Sequence, residues 1–131
     1  MKKATIMSFT LVAMFLLPAN LLAQVPKREW FGDWAMNHDG HVGTLRVAEL
    51  RADCGGPAWC DMAVSYLDSR GVRHAGRIEQ MDGRLQHMVF YINFPNNRQK
   101  FDAYIFSWDR RKLAGTTYWG GKTFGFYATR R

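Results

Sequence analysis

Four histidines and two cysteines are the side chains of this chain best suited to metal or redox chemistry. His38 and His41 flank Asp39-Gly40, and an HxxH pair beside a carboxylate offers three ligands of the kind a divalent metal takes. Turn histidines are far more often plain surface residues, so no metal and no cofactor is expected. His74 and His87 fall in strand-like runs on either side of Asp82-Gly83. A hairpin there would bring them near each other, and cross-strand packing accounts for both. No nucleophile stands with a base and an orienting acid, and no glycine loop is suited to phosphate. The chain is read as non-enzymatic.

Cys54 and Cys60 bracket Gly55-Gly56-Pro57-Ala58-Trp59. That spacing matches neither the two-residue interval of a redox dithiol nor a zinc pattern. In an exported chain, an even pair this close is expected to form a disulfide. It would staple one hairpin and contribute on the order of 2 kcal/mol.

Export itself is expected from the start of the chain. Met1, Lys2 and Lys3 precede the apolar run Ala4 to Leu17, Pro18 breaks it, and small residues follow at Ala19 and Ala23. Charged, apolar and small-residue segments in that order make a cleavable signal peptide over residues 1–23. As a helix the apolar run would reach only ~21 Å against a hydrocarbon core of ~30 Å, so no stable membrane insertion is expected. The next residue is Gln24 rather than Cys, which leaves no lipid-modified terminus.

Residues 24–131 suffice for a single domain with its own core, periplasmic or secreted. Without Lys2 and Lys3 the formal charge falls from +7 to +5. The basic residues are scattered, with their tightest clusters at Arg110-Arg111-Lys112 and Arg130-Arg131. Such a surplus reads as a solvated surface, and no nucleic-acid partner is expected of an exported protein.

What must position these residues is a series of short strands. Expected strands run from Trp30 to Asn37, Val42 to Ala52, Cys60 to Asp68 and Val72 to Gln80, then, after the hairpin signal Asp82-Gly83, from Leu85 to Phe94. Pro95-Asn96-Asn97 reads as a break, and Phe101 to Trp108, Leu113 to Trp119 and Thr123 to Thr129 complete eight strands. Turns every eight to twelve residues favour sequential antiparallel pairing. The fold class is therefore all-β. An eight-stranded antiparallel up-and-down barrel leaves no exposed edge, and a two-sheet sandwich stays open as the alternative, since period alone does not decide closure.

The segment Gly32-Asp33-Trp34, followed by Asn37, Asp39, Gly40, Gly43 and Thr44, resembles the opening of the calycin barrels: lipocalins, avidins and their smaller bacterial relatives. The resemblance implies that Trp34 closes the base of the barrel. It also implies that a basic residue at the end of the last strand, Arg130 or Arg131, packs across the ring, a contact worth ~1 kcal/mol. The spacing after Trp34 departs from the avidin opening, so biotin binding is not implied.

An eight-stranded barrel is just wide enough to be filled by side chains or to hold one small ligand. Phe90, Phe94, Phe124 and Phe126 fall on the expected inner faces and are the candidate ligand contacts, with Gly76, Ala103, Gly115 and Ala128 leaving space between them. Tyr91, Tyr104, Phe106 and Trp108 must then point outward, as a patch for a protein partner or for self-association into a homo-oligomer. Cover by the segment Gln24 to Glu29 is the competing explanation of that patch. The expected function is an exported barrel that binds a small apolar or amphipathic molecule at its mouth. The alternative is a module that binds an envelope protein, such as a protease or lysozyme inhibitor.

Overall fold

Alternating side chains and tight turns build eight strands in the computed structural model, which describes residues 25–50, 54–82 and 84–131. The signal peptide expected over 1–23, Gln24 and Gly83 lie outside the described residues. After a 3-10 turn at Lys27–Trp30 come β1 (Gly32–His38), β2 (His41–Glu49), β3 (Met62–Asp68) and β4 (Arg73–Met81). β5 (His87–Phe94), β6 (Asn97–Ile105), β7 (Lys112–Trp119) and β8 (Lys122–Arg130) follow. Each strand pairs antiparallel with the next, and β1 pairs with β8, so the sheet closes into a barrel. Closure gives each strand a neighbour on both sides and removes the edges that an open sheet or a sandwich would present.

Turn chemistry fixes the register at one end. Asp39 and Gly40 both have positive φ, 51° and 86°, as do Gly120 and Gly121, at 58° and 74°. These are the backbone angles of two-residue hairpins whose twist matches the flanking strands. They set His38 opposite His41 and Trp119 opposite Lys122. The β3–β4 and β5–β6 connections lie at this same turn end. The opposite end, the base, holds the longer loops and the 3-10 turn.

Several expected boundaries move. The first strand begins at Gly32 because Trp30 belongs to the 3-10 turn. β4 and β5 are joined by the longer loop 82–86, in which Asp82 Oδ1 accepts from the backbone N–H of Arg84 and Gln86. Pro95-Asn96 is not a break but a tight turn, with Phe94 opposite Asn97, so β6 starts earlier than expected and ends at Ile105. Phe106 and Trp108 therefore sit in the β6–β7 loop at the base. β2 stops at Glu49, and the disulfide Cys54–Cys60 closes part of the loop that follows, with a Cα–Cα distance of 5.9 Å.

The core is the barrel's interior. Met36, Leu45, Val64, Ile78, Phe90, Phe101, Leu113 and Phe126 line it and are all buried. Gly76 and Gly115, expected to leave space, do not. A Cβ on Gly76 would lie 2.7 Å from Val64 Cγ2, and one on Gly115 would lie 1.8 Å from the Asp102 carbonyl oxygen. Neighbouring groups already fill both positions.

Candidate functional site

The base is sealed by its own residues. Trp34, on β1, is fully buried, and its Nε1 donates to the Trp30 carbonyl at 3.0 Å. Trp30, also fully buried, donates from Nε1 to the Leu85 carbonyl at 2.6 Å. Arg130 lies over Trp34 with its guanidinium carbon 4.3 Å from the ring centroid, and it donates to the carbonyls of Phe31 and Glu29. Gly32, at φ 124°, leaves the room this needs, since a Cβ there would come within 3.1 Å of the guanidinium. Arg131 is exposed, and its backbone N–H donates to the Asp33 carbonyl. Val25 and the 3-10 turn cap this end, with Lys27 Nζ 2.7 Å from Asp61. Of the segment expected to cover the outward aromatics, residues 25–29 pack at the base.

Aromatic rings fill the middle of the barrel. Phe90 and Phe101 stack with centroids 5.0 Å apart, and Phe126 meets Phe101 edge-on at 5.3 Å. Of the four candidate ligand contacts, Phe90 and Phe126 belong to this packed layer, whereas Phe94 and Phe124 stand nearer the turn end and stay half-buried.

That turn-end layer is polar as well as aromatic. His38, the last residue of β1, is only 6% exposed, because the two-residue turn places it on the inward row of Trp34 and Met36. His38 Nε2 shares a hydrogen bond of 3.2 Å with Tyr66 Oη. Tyr66 in turn lies across Gly43, where a Cβ would be 2.4 Å from its hydroxyl. His74 Nε2 donates to Asp68 Oδ2 at 2.9 Å, and Phe94 packs against His74 with centroids 4.7 Å apart. On the opposite wall Gln99 Nε2 donates to Thr117 Oγ1 at 2.8 Å. Asn97 shares the inward face of Phe94, and its Nδ2 is buried with no hydrogen-bond partner among the described residues.

Burial decides the charge state here. Loss of hydration, reinforced by the nearby His41 against the weaker opposing pull of Asp39, pushes His38 down to about 4. The imidazole is neutral at pH 7. Burial, with the Asp68 charge adding to it, pushes the Tyr66 hydroxyl up to about 12, so it keeps its proton. The hydrogen bond from His74 outweighs burial and, helped by those from Arg70 and from the Val72 and Arg70 backbones, holds the Asp68 carboxyl well below the usual carboxylate range. The layer therefore presents a neutral imidazole at His38 and a protonated phenol at Tyr66 between rings, with the Asp68 carboxylate already engaged.

The histidines stand elsewhere than their sequence context suggests. His38 and His41 come together, with ring centroids 5.4 Å apart, yet His38 is a buried lumen residue and not an exposed turn histidine. No group of three metal-ligating side chains occurs among the described residues. His74 and His87 are not neighbours: His74 faces the lumen opposite Tyr66, whereas His87 is bonded on the outer face to Asp102 and stacked on Tyr104 at 4.3 Å. Period-two alternation carried from Trp34 and Met36 to the edge of the Asp39-Gly40 turn would have marked His38 as inward, as alternation with Met62 and Val64 does for Tyr66.

The outward residues sit at different heights. Tyr91 is half-buried beneath Arg98, whose guanidinium carbon is 3.9 Å from the ring centroid. Tyr104 is 49% exposed, four residues further along β6 than Lys100, the partner of Tyr91, or about 13 Å. Phe106 and Trp108 stack at 5.4 Å in the base loop, with Trp108 79% exposed. The expected single patch is thus spread along the length of the barrel.

Fold and site together define a closed eight-stranded antiparallel barrel with a sealed base, a ring-filled middle and a polar aromatic layer at its turn end. Among the described residues no helix is long and apolar enough to cross a membrane. No protein-family model, curated protein or solved structure matches the chain.

Proposed function

We propose that the chain is an exported, non-enzymatic calycin-like barrel that holds a small amphipathic molecule at its turn-end mouth. The observation that carries this reading is Asn97 Nδ2, a buried donor without a partner, on the inward face it shares with half-buried Phe94. An unpaired buried donor costs about 1–3 kcal/mol, and an acceptor oxygen on a ligand lying against Phe94 and Phe124 would recover that. Because Phe90, Phe101 and Phe126 fill the layer beneath, the ligand is short and sits shallowly. The Asp68–His74 pair supports a structural role rather than catalysis, since Asp68 also accepts from Arg70 and from the backbone of Val72. The Gly32-Asp33-Trp34 opening with Arg130 over the indole is the geometry that the calycin resemblance implies.

A second reading, a module that captures an envelope protein, draws support from the exposed rings of Tyr104 and Trp108. Native mass spectrometry of protein purified from its own host separates the two. A retained small molecule, lost in a Phe94→Ala/Phe124→Ala variant that still folds, supports the first. A ligand-free chain that carries an envelope enzyme, and releases it on Trp108→Ala, supports the second.

A further inference from the structure

Outside the lumen, one cross-strand row on the turn-end half of the barrel alternates cations with tyrosines. Arg77 on β4 is opposite Tyr91 on β5, Tyr91 is opposite Lys100 on β6, and Lys100 is opposite Tyr118 on β7. Arg98 lies over the Tyr91 ring, and Lys100 Nζ is 5.7 Å from the centroid of Tyr118. At the tip of the β7–β8 hairpin, next to Tyr118 in sequence but on the row of Thr117 as it leaves the barrel, Trp119 is 53% exposed and stands opposite Lys122 across Gly120-Gly121. Among the described residues none of Arg77, Arg98, Lys100 or Lys122 forms an ion pair. Asp102, the acid nearest to Lys100 along β6, is bonded to His87.

We propose that this shoulder of the barrel docks reversibly on an anionic lipid bilayer. Charge complementarity selects the partner: Arg77, Arg98 and Lys100 face outward together with no ion-pair partner among the described residues, Lys122 stands at the adjoining hairpin tip, and Glu79, two residues along β4 from Arg77, is the one exposed acid beside them. The tyrosine rings beneath Arg98 and Lys100 order the charged heads before contact. Phosphate and glycerol headgroups accept from those heads. The half-exposed Tyr118 and Trp119 suit the boundary between headgroup and acyl chain, where an amphipathic ring keeps its apolar body dry and its polar edge wet. A soluble polyanion would engage the cations and leave Trp119 in water, whereas a bilayer uses both. The docking is independent of what occupies the mouth.

Cosedimentation of the parent protein tests this, using vesicles of phosphatidylcholine alone and of phosphatidylcholine with phosphatidylglycerol, at low and high salt. The expected result is binding only to the anionic vesicles, reversal by salt, and a blue shift of tryptophan emission on binding that Trp119→Ser reduces. Arg98→Glu/Lys100→Glu/Lys122→Glu should weaken partitioning roughly a hundredfold. Lys122→Glu alone, at an exposed tip that cannot disturb the core, should weaken it several-fold. The base variant Arg110→Glu/Lys112→Glu should bind as the parent does. Equal binding to neutral vesicles, parent-like binding by the triple variant, or an equal loss in the base variant overturns the proposal. So does tighter binding to heparin than to vesicles with Trp119→Ser unchanged on both, which would assign the face to a soluble polyanion.

Discussion

Arg130 and Trp34 are opposite each other across the β1–β8 seam, with the guanidinium carbon 4.3 Å from the indole centroid. This contact joins the first strand to the last, so it acts where closure of the barrel is decided. The guanidinium also ties down two carbonyls of the base segment. Arg130→Ala should lower the unfolding free energy by ~2 kcal/mol, with Arg130→Lys recovering little because an ammonium lacks the planar fork. Arg131→Ala, at an exposed side chain, should fall within about 0.5 kcal/mol of the parent. Urea unfolding of the three variants checks this, and a Trp34→Ala variant as stable as the parent would remove Trp34 from the closure altogether.

Gly115 and Gly125 sit on adjoining strands but in opposite situations. A Cβ on Gly115 would meet the Asp102 carbonyl oxygen at 1.8 Å, whereas nothing lies within 4 Å of one on Gly125. Gly115→Ala must push β6 and β7 apart and should cost more than about 3 kcal/mol. Gly125→Ala should be neutral or slightly stabilising, since alanine loses less conformational entropy than glycine in a strand. Thermal melts of the two variants provide the comparison; equal costs would contradict the packing at Gly115.

The buried His38 makes stability depend on pH below neutrality. Its pKa is about 4 in the folded chain against 6.5 for the free side chain, so between those values the unfolded chain binds the extra proton. Stability from this group is complete above the unfolded value and is lost as pH falls from about 6.5 towards 4. The loss at pH 5 relative to pH 7 should be ~2 kcal/mol. Denaturant midpoints at the two pH values measure it. His38→Gln should flatten the slope over that window while leaving the loss below the free carboxylate range to which Asp68 contributes.

Reduction of Cys54–Cys60 should have a small effect. The bond spans six positions in sequence and constrains few residues of the unfolded chain. Cys54→Ser/Cys60→Ser should therefore cost ~2 kcal/mol and leave the barrel's circular dichroism unchanged. Collapse of the fold in the double variant would mean that the β2–β3 loop does far more than its closure entropy implies.

Eight strands, their order and the Cys54–Cys60 bond were legible in the chain because each rests on neighbours in sequence: alternation of period two, turn dipeptides and a short cysteine interval. The same local signals misplaced β6, because Pro95-Asn96 can be read either as a break or as a tight turn until Phe94 and Asn97 are seen paired. They also misplaced Phe106 and Trp108, whose outward strand positions became loop positions at the base. The inner and outer faces were legible along single strands. What stands opposite what across the lumen was not.

By itself the sequence determined an all-β chain with a Gly32-Asp33-Trp34 opening, aromatic inner faces and two arginines able to reach Trp34. Only the tertiary structure decided that β8 pairs with β1, that Arg130 and not Arg131 covers the indole, and that His38, Tyr66 and His74 share one layer. The physical reason is that pattern reports which way a side chain points from its own strand. Closure, register and the meeting of residues from six strands in one layer depend on the packing of the whole sheet upon itself.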